Sequence, residues 1–262
     1  MARPLIALLT DFGLRDHYAG TMKGVALGIC PDITFVDISH DVPPHDVLAG
    51  ALELAATFRY FPAATIFLVV VDPGVGSARR GIAADTGDYR FVAPDNGVLT
   101  VVLDQMKPKR IVELTDRRYA RPTISRTFEG RDRFAPAAAW LAKGINLTAL
   151  GRPAGSLIRL EIPAPATSAE GIAGEVLRVD RFGNLITNID TALIENLSGP
   201  AHIDVGGRQL SRIVSTYADV QPGDLCALVG SSDHLEIAVN GGSAAEILSL
   251  GRGASVRVRR DA

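Results

Sequence analysis

Two aspartates follow apolar runs that end abruptly, and this placement suits them for binding the polar groups of a ligand. Asp11 ends the run I-A-L-L-T, and Asp72 ends the run T-I-F-L-V-V-V, with Arg79 and Arg80 one glycine-containing loop later. In an open α/β sheet, ligands bind outside the carboxyl ends of the strands. The pattern therefore predicts one site, with Asp11 as an acceptor for a ribose diol or a metal. The alternative is that each aspartate only caps a following helix.

Further polar residues lie at the ends of predicted elements, where folding alone seldom requires them. They are Asp16, Asp95, Asn96, Glu129, Asp132, Asp180, Asn184, Ser231, Glu236 and Asn240. Asn96 and Asn184 have a simpler interpretation as parts of tight turns or as residues that end an element. Glu129 has a simpler interpretation as a carboxylate in the first turn of a helix. These residues are informative through their order along the chain rather than singly.

The elements that must position these residues alternate between strands and helices in the first part of the chain. Strand-like apolar segments cover residues 6–10, 33–38, 65–71, 82–85, 89–93 and 111–114. Helix-like patterns cover residues 16–29, a stretch that begins at residue 46, and residues 131–142. This alternation predicts an α/β fold with a mostly parallel, doubly wound sheet.

The second part of the chain has a different character. Residues 162–166, I-P-A-P-A, predict an extended linker, because proline lacks an N–H donor and restricts the backbone. Beyond it, short strand-like segments cover residues 174–179, 185–189, 201–205, 224–228, 235–238 and 254–257. Regular short strands with turn signals predict a small all-β, barrel-like domain. We therefore expect an α/β domain over residues 1–160 and a barrel-like domain over residues 170–262.

Composition and charge exclude several classes of partner. The 262 residues include 27 basic and 29 acidic side chains, and the net charge of −2 offers no basic surface for nucleic acid or lipid. No segment approaches the roughly 20 apolar residues of a membrane span, and the N-terminus lacks a signal-peptide pattern. These features predict a cytoplasmic protein that binds neither nucleic acid nor membranes.

Signatures of metal sites and of common catalytic machinery are also missing. Cys30 and Cys226 have no C-x-x-C partner, and the five histidines show no metal-ligand spacing. The sequence has neither a G-x-x-x-x-G-K-S/T phosphate loop nor a G-x-S-x-G nucleophile motif. His40 and His45 flank a Pro-Pro turn, and we expect both at the surface. We expect no bound metal.

The order of the polar residues matches seven motifs of a known family. The motifs are T-D-F-G-x-x-D (10–16), M-K-G-V (22–25), V-D-P-G-V-G-x-x-R (71–79), A-P-D-N-G (93–97), T-F-x-G-R-D-x-F-A-P (127–136), D-x-F-G-N-x-x-T-N-I (180–189) and S-x-x-x-L-E-I-A-x-N (231–240). On these motifs the chain resembles the S-adenosyl-L-methionine (SAM) hydroxide adenosyltransferases, relatives of the fluorinase and chlorinase. The resemblance runs nearly from end to end of the chain.

The resemblance implies a homotrimer that holds SAM between the N-terminal domain of one subunit and the C-terminal domain of its neighbour, without a cofactor. It implies that Asp11 binds both ribose hydroxyls, which suits the two oxygens of a carboxylate. Asp180 and Asn184 would bind the amino-acid or ribose end of SAM. The remaining substrate-binding residues that it implies are Asp16, Asn96, Ser231, Glu236 and the backbone near Val239.

The implied reaction is displacement at ribose C5′ by water or hydroxide, which gives adenosine and L-methionine. Methionine leaves readily from a cationic sulfonium, so the barrier lies in placing an aligned, partly desolvated nucleophile. The family carries an Asp, an Arg seven residues later, and a His in the motif T-F-H-G-R-D. Asp72 and Arg79 fit this spacing better than Asp72 and Arg80. Asp72 would accept a proton, and Arg79 would stabilise developing hydroxide.

The chain departs from the family where Glu129 replaces that histidine. Beside Asp72, a second carboxylate raises the pKa of one carboxyl through like-charge repulsion. Glu129 either acts as the base, with Arg79 holding both carboxylates, or turns away and leaves a slower Asp–Arg site. The third alternative is that it marks a protein that uses another nucleophile or only binds SAM or adenosine. We expect hydrolysis, with Asp72, Arg79 and Glu129 as the catalytic residues. The alternatives are a SAM- or adenosine-binding protein without turnover and a halogenase, which is disfavoured because both carboxylates repel a halide.

Overall fold

Two sheets, each in its own compact unit, organise the fold. The computed structural model describes residues 3–197 and 201–260, and the chain divides into the units Met1–Leu160 and Glu161–Ala262. Within the described part of the chain, no helix has the length and apolar character needed to cross a membrane.

The N-terminal unit contains a six-stranded sheet in the order β2-β1-β3-β5-β4-β6. The strands are β1 (Leu5–Thr10), β2 (Thr34–Ser39), β3 (Ile66–Val70), β4 (Gly81–Asp85), β5 (Arg90–Pro94) and β6 (Arg110–Glu113), and the helices are α1 (Tyr18–Ile29), α2 (Val47–Thr57), α3 (Thr100–Gln105) and α4 (Ala135–Ala142). The pairs β1–β2, β1–β3 and β3–β5 are parallel, whereas β4 runs antiparallel to both of its neighbours. The predicted α/β class with a mostly parallel sheet is confirmed.

Both faces of this sheet are covered, which explains why its central strands are continuous apolar runs. Along β1, Ile6 and Leu8 join a core with residues of α1 and α4, while Ala7 and Leu9 join a second core with residues of α2 and α3. The sheet is therefore doubly wound. Because β2 and β3 lie on opposite sides of β1, the strand order reverses at β1, and ligands of such sheets bind at the carboxyl ends of strands at this point.

The helix predicted over residues 131–142 has a different local form. A π-helical turn, Gly130–Phe134, comes first, and α4 follows it. The buried Asp132 carboxylate accepts a hydrogen bond from the backbone N–H of Ser125 at 2.8 Å and is also bound by Arg131. Such tertiary contacts have no periodic sequence signature. The short α3 was not predicted either, since three of the four residues in T-V-V-L are β-branched and read as strand-like.

The C-terminal unit contains a nine-stranded sheet in the order β11-β10-β15-β8-β9-β14-β13-β12, with β7 paired to β8. Its elements are β7 (Ala166–Ser168), β8 (Gly171–Val179), β9 (Leu185–Asp190), α5 (Thr191–Glu195), β10 (Ala201–Val205), β11 (Arg208–Leu210), β12 (Ile213–Val214), β13 (Leu225–Val229), β14 (His234–Val239), α6 (Ala244–Leu248) and β15 (Ser255–Arg260). The strands β11 and β13 also lie close together, as do β10 and β12, so the sheet curls into a nearly closed barrel. The predicted barrel-like sheet is confirmed.

Several local features of this unit differ from the prediction, which also lacked the short strands β11 and β12. The strand β7 begins at Ala166, inside the predicted linker, so the extended proline segment ends at Pro165. The helices α5 and α6 were not predicted. Each is short and begins at a side-chain cap, where Asp190 accepts from the N–H of Leu193 and Ser243 accepts from the N–H of Glu246.

Candidate active site

Asp72 lies just beyond β3, and Arg79 fixes its carboxylate in place. The Nε of Arg79 donates to Oδ1 of Asp72 at 2.8 Å, and Nη2 donates to Oδ2. The two side chains are only 5% and 6% exposed. A guanidinium that binds both oxygens of a carboxylate sets its orientation as well as its charge. Asp72 is therefore an oriented, largely dehydrated carboxylate.

The loop between Asp72 and Arg79 brings these residues together over seven positions. The N–H of Val75 donates to the carbonyl of Asp72, and this turn leads to Gly76. Gly76 has a φ of +78°, and a Cβ there would lie 2.3 Å from the carbonyl oxygen of Arg126. Only glycine combines this backbone conformation with this close approach. The glycines of the motif V-D-P-G-V-G thus shape the return of Arg79.

Glu129 lies immediately before the π-helical turn and joins the same ion-pair system. Its Oε2 accepts from Nη1 of Arg79 at 2.9 Å and from Nη1 of Arg133 at 3.1 Å. Arg133 also donates to the carbonyl of Leu114 at 2.8 Å. Glu129 therefore does not turn away from Arg79. We call Asp72, Arg79, Glu129 and Arg133 the acid–arginine cluster; its two carboxylates and two guanidinium groups balance in charge.

Burial raises the pKa of Asp72. The hydrogen bonds and positive charge of Arg79 oppose this rise, whereas the negative charge of Glu129 adds to it. A carboxylate with a raised pKa is a better proton acceptor than an ordinary aspartate. The cluster therefore combines an oriented base with a fixed positive charge.

The neighbouring Arg80 belongs to a separate network. Its Nε donates to Asp95 at 2.8 Å, and Nη1 donates to Glu113 at 3.3 Å. The structure therefore brings Arg79, and not Arg80, onto Asp72. Sequence reasoning did not select Arg133, although its spacing of four residues from Glu129 is a detectable signal for a helical ion pair.

Asp11 lies just beyond β1, the strand next to β3, with Thr10 paired to Val70 in the sheet register. Its half-buried carboxylate accepts a hydrogen bond from the backbone N–H of His45 at 2.9 Å. It does not cap α1, whose first flanking residue is His17. The ends of adjacent strands therefore bring Asp11 and Asp72 to the same edge of the sheet.

Asp16 and Asn96 have different surroundings. Asp16 is exposed in the turn before α1. The amide of Asn96 donates to the carbonyl of Val71 at 2.8 Å and accepts from the N–H of Val98 at 3.1 Å. Asn96 thus ties the segment next to Asp72 to the turn after β5.

His40 is not at the surface, and that expectation was wrong. The residue is 4% exposed, and its ring lies between Thr10 and Asp37. The loop position beside Pro43 and Pro44 gave no sign of this burial, because the two contacts are made to residues on β1 and β2. His45 is exposed, as expected.

In the C-terminal unit, Asp180 and Asn184 form a closed loop. Oδ1 of Asp180 accepts from the N–H groups of Phe182 at 2.8 Å and of Asn184 at 2.9 Å, and Nδ2 of Asn184 donates to Oδ2 at 3.0 Å. Phe182, at the tip, is 76% exposed. Ser231 is exposed in the turn before β14, and Val239 is buried at the end of that strand.

Glu236 on β14 is buried and hydrogen-bonded to Tyr217, a residue that sequence reasoning did not select. The Tyr217 hydroxyl donates to Oε1 of Glu236 at 2.7 Å. Burial raises the pKa of Glu236, with the charge of Asp180 adding to the rise. Burial and the hydrogen bond to Glu236 raise the pKa of Tyr217 to about 12, so the phenol stays a donor. The contact orients one oxygen of Glu236.

Tyr217→Phe is expected to lower the free energy of unfolding by about 1.5 kcal/mol, the contribution of a hydrogen bond to a charged group. Urea denaturation at neutral pH measures this loss. Tyr60→Phe is the matched control, since the Tyr60 side chain is 80% exposed, and it should leave the stability unchanged. Equal stability of both variants would show that the Tyr217–Glu236 contact contributes nothing.

Two family models match this chain: the N-terminal domain of the SAM hydroxide adenosyltransferases over residues 6–151, and the C-terminal domain over residues 174–257. The chain belongs to the SAM hydroxide adenosyltransferase family. The family resemblance of the sequence is thereby confirmed. Within this family member, the acid–arginine cluster lies in the N-terminal family domain, and the Asp180–Asn184 loop and Glu236 lie in the C-terminal one.

Three relatives and one solved structure align with this family member over nearly their whole length. The chain is 42% identical over 259 residues to an (R)-S-adenosyl-L-methionine hydrolase from Salinispora tropica, covering 97% of each protein. It is 40% identical to the hydrolase of the same name from Thermus thermophilus, covering 97% of this chain and 98% of the relative. A fluorinase from an Actinoplanes species is 29% identical, with 98% of each chain covered. A solved structure from Thermotoga maritima, of an uncharacterized conserved protein, superposes with a TM-score of 0.91 at 38% identity, covering 97% of this chain and all of that one.

Proposed function

We propose that this protein hydrolyses SAM to adenosine and L-methionine by attack of water or hydroxide at ribose C5′. The observation that carries the proposal is the acid–arginine cluster at the end of β3, beside Asp11 at the end of β1. The names of the Salinispora and Thermus relatives support SAM as the substrate.

In the proposed mechanism, Asp72 accepts a proton from the attacking water. Arg79 holds Asp72 in place and supplies the positive charge that stabilises developing hydroxide. A positioned base of this kind contributes about 10²–10⁴-fold to the rate. The sulfonium and the incipient hydroxide neutralise each other in the transition state, so a partly dehydrated site favours the reaction. Asp11 binds the ribose hydroxyls, and the proposed chemistry uses no metal or cofactor.

Glu129 has a supporting part in this mechanism. It shares Arg79 with Asp72, and its charge contributes to the raised pKa of Asp72. Arg133 binds the same oxygen of Glu129 as Arg79 does, which keeps the second carboxylate paired. Two arginines thereby allow a carboxylate to occupy a position where the family motif has histidine.

Glu129→Gln is expected to move the acid limb of the pH profile of kcat/KM to lower pH. The negative charge of Glu129 raises the pKa of Asp72, so removing that charge lowers this pKa, and Asp72 becomes an ionised base at lower pH. Initial rates of methionine release across acidic pH measure the shift. Asp116→Asn, at a carboxylate paired with its neighbour Arg118, is the control and should leave the profile in place. An unchanged pH profile in Glu129→Gln would contradict the effect of the Glu129 charge on the pKa of Asp72.

The test of the proposed function is incubation of the purified protein with SAM, with products separated by chromatography. Adenosine and methionine in equal amounts support hydrolysis. Intact SAM bound at one equivalent supports the alternative of a binding protein without turnover. Formation of 5′-chloro-5′-deoxyadenosine in chloride buffer supports a halogenase, which two carboxylates beside the reaction centre disfavour.

The homotrimer with sites shared between subunits, and the cytoplasmic location, remain predictions from the sequence. What supports the first is the family resemblance, on which the prediction of a trimer was made. Light scattering of the purified protein tests it: a mass three times 27.7 kDa supports the trimer, and a mass of 27.7 kDa contradicts it.

A further inference from the structure

A buried histidine outside the acid–arginine cluster connects β2 to the residue that precedes Asp11. The Nδ1 atom of His40 lies 2.8 Å from Oγ1 of Thr10, and Nε2 lies 3.2 Å from Oδ1 of Asp37. Lys23 binds the other oxygen of Asp37 at 2.6 Å. The His40 side chain is 2% exposed, and Thr10 is fully buried. The arrangement resembles a nucleophile triad, but a buried hydroxyl cannot reach a substrate.

The two ring nitrogens of His40 have different surroundings. Oγ1 of Thr10 accepts from the backbone N–H of Phe12 at 3.3 Å and is also hydrogen-bonded to Nδ1 of His40. On the other side of the ring, Nε2 lies near Oδ1 of Asp37 but has no hydrogen-bond partner among the described residues. The hydrogen bond to Thr10 is therefore the contact by which the His40 ring is tied to β1.

The segment around His40 holds the Asp11 loop at three points. The Thr10 side chain, before Asp11, is bound by the His40 ring. The N–H of Gly13, after Asp11, donates to the carbonyl of His40 at 2.7 Å. The Asp11 carboxylate itself accepts from the N–H of His45. The orientation of Asp11 therefore depends on residues 40–45 and on how this segment is aligned with the end of β1.

We propose that His40 is a positioning residue, which through Thr10 fixes Asp11 in the orientation that binds two ribose hydroxyls. A carboxylate that binds a diol uses both oxygens, so its orientation is more critical than in a single hydrogen bond. The inference rests on the proposed function, because it takes the adenosine part of SAM as the ligand of Asp11.

The test compares two ligands, adenosine and 2′,3′-dideoxyadenosine, by calorimetry with Thr10→Val. This variant keeps the side-chain shape and removes the hydroxyl. We expect its affinity for adenosine to fall about tenfold, the effect of one hydrogen bond, and its affinity for the dideoxy ligand to stay unchanged. Thr65→Val is the matched control. Thr65 is equally buried, and its hydroxyl donates to a backbone carbonyl. It lies just before β3, at the opposite end of the strands from Asp11, so neither affinity should change.

Two substitutions of His40 separate its contacts. His40→Asn places an amide atom where Nδ1 lies and should retain most of the preference for adenosine. In His40→Gln the amide reaches toward Asp37 instead. This variant should lose the preference for adenosine over 2′,3′-dideoxyadenosine, as Thr10→Val does. The double variant Thr10→Val/His40→Gln should lose no more than either single variant, because both remove one contact.

The outcomes distinguish the inference from the proposed function. Retention of the wild-type ligand preference by Thr10→Val, in a protein that hydrolyses SAM, would overturn the positioning role and leave hydrolysis in place. A wild-type protein that prefers adenosine but releases no methionine from SAM would overturn hydrolysis, while a selective loss in Thr10→Val would still support the positioning role. An equal loss of affinity for both ligands would show a general structural effect and would also overturn the inference.

Discussion

Asp72→Asn is expected to lower kcat for SAM hydrolysis by about 10²–10⁴-fold, the usual contribution of a positioned base. Asparagine has the size of aspartate and keeps an oxygen toward Arg79, but it cannot take a proton from water. Because Asp72 acts on the nucleophile rather than on the adenosine part of SAM, the affinity for adenosine should remain. Stopped assays of methionine release give kcat, and calorimetry gives the affinity.

Asp95→Asn is a matched control for this substitution. Asp95 is also buried and also bound by two nitrogens of an arginine, in this case Arg80, so its substitution also removes a carboxylate–arginine ion pair. We expect a loss of stability in Asp95→Asn with kcat of the folded protein preserved. A wild-type rate in Asp72→Asn, or an equal fall in kcat in both variants, would contradict the assignment of Asp72 as the base.

Arg79→Met is expected to lower the free energy of unfolding at neutral pH by about 3–5 kcal/mol, the effect of removing one partner from a buried ion pair. Arg79 is 6% exposed and binds Asp72 and Glu129 together. Methionine fills similar space but leaves both carboxylates without this partner. Urea denaturation measures the loss. Arg152→Met, which removes an exposed partner of Glu113, is the control and should lose at most about 1 kcal/mol.

The loss in Arg79→Met should depend on pH in a defined direction. Burial already raises the pKa of Asp72 in the folded protein, and removing Arg79 raises it further. The folded state then holds a proton that the unfolded state has released, so stability falls as pH rises from the ordinary aspartate pKa through the folded value. The free energy of unfolding of the variant should therefore fall least, relative to wild type, in acid and most near neutral pH. A loss that is small, or constant across this range, would contradict the role of Arg79 as the partner of buried charge.

Much of the fold and part of the site follow from local sequence signals. The apolar runs before Asp11 and Asp72 predict buried parallel strands, and the strand order places both carboxylates at one edge. The spacing of Asp72 and Arg79 also predicts their contact, because the glycine-rich loop between them is short. These features depend on residues close in sequence or on the regular geometry of a sheet.

Other features of the site depend on contacts that sequence patterns do not encode. The Tyr217–Glu236 bond joins a short helical turn to β14, and the His40–Thr10 contact joins residues thirty positions apart. The pairing of Arg133 with Glu129 follows helical spacing but is set within a π-helical turn, which has no reliable sequence signature. The short helices α5 and α6 begin at single caps and are too brief to show periodicity.

The central claim is that water attacks ribose C5′, and incubation with SAM in ¹⁸O-labelled water tests it most directly. Mass spectrometry of the products locates the label. We predict one ¹⁸O atom in the 5′-hydroxyl of adenosine and none in methionine, with product formation abolished or strongly reduced in Asp72→Asn. Unlabelled adenosine, or SAM that remains intact at one equivalent per chain, would contradict hydrolysis at C5′.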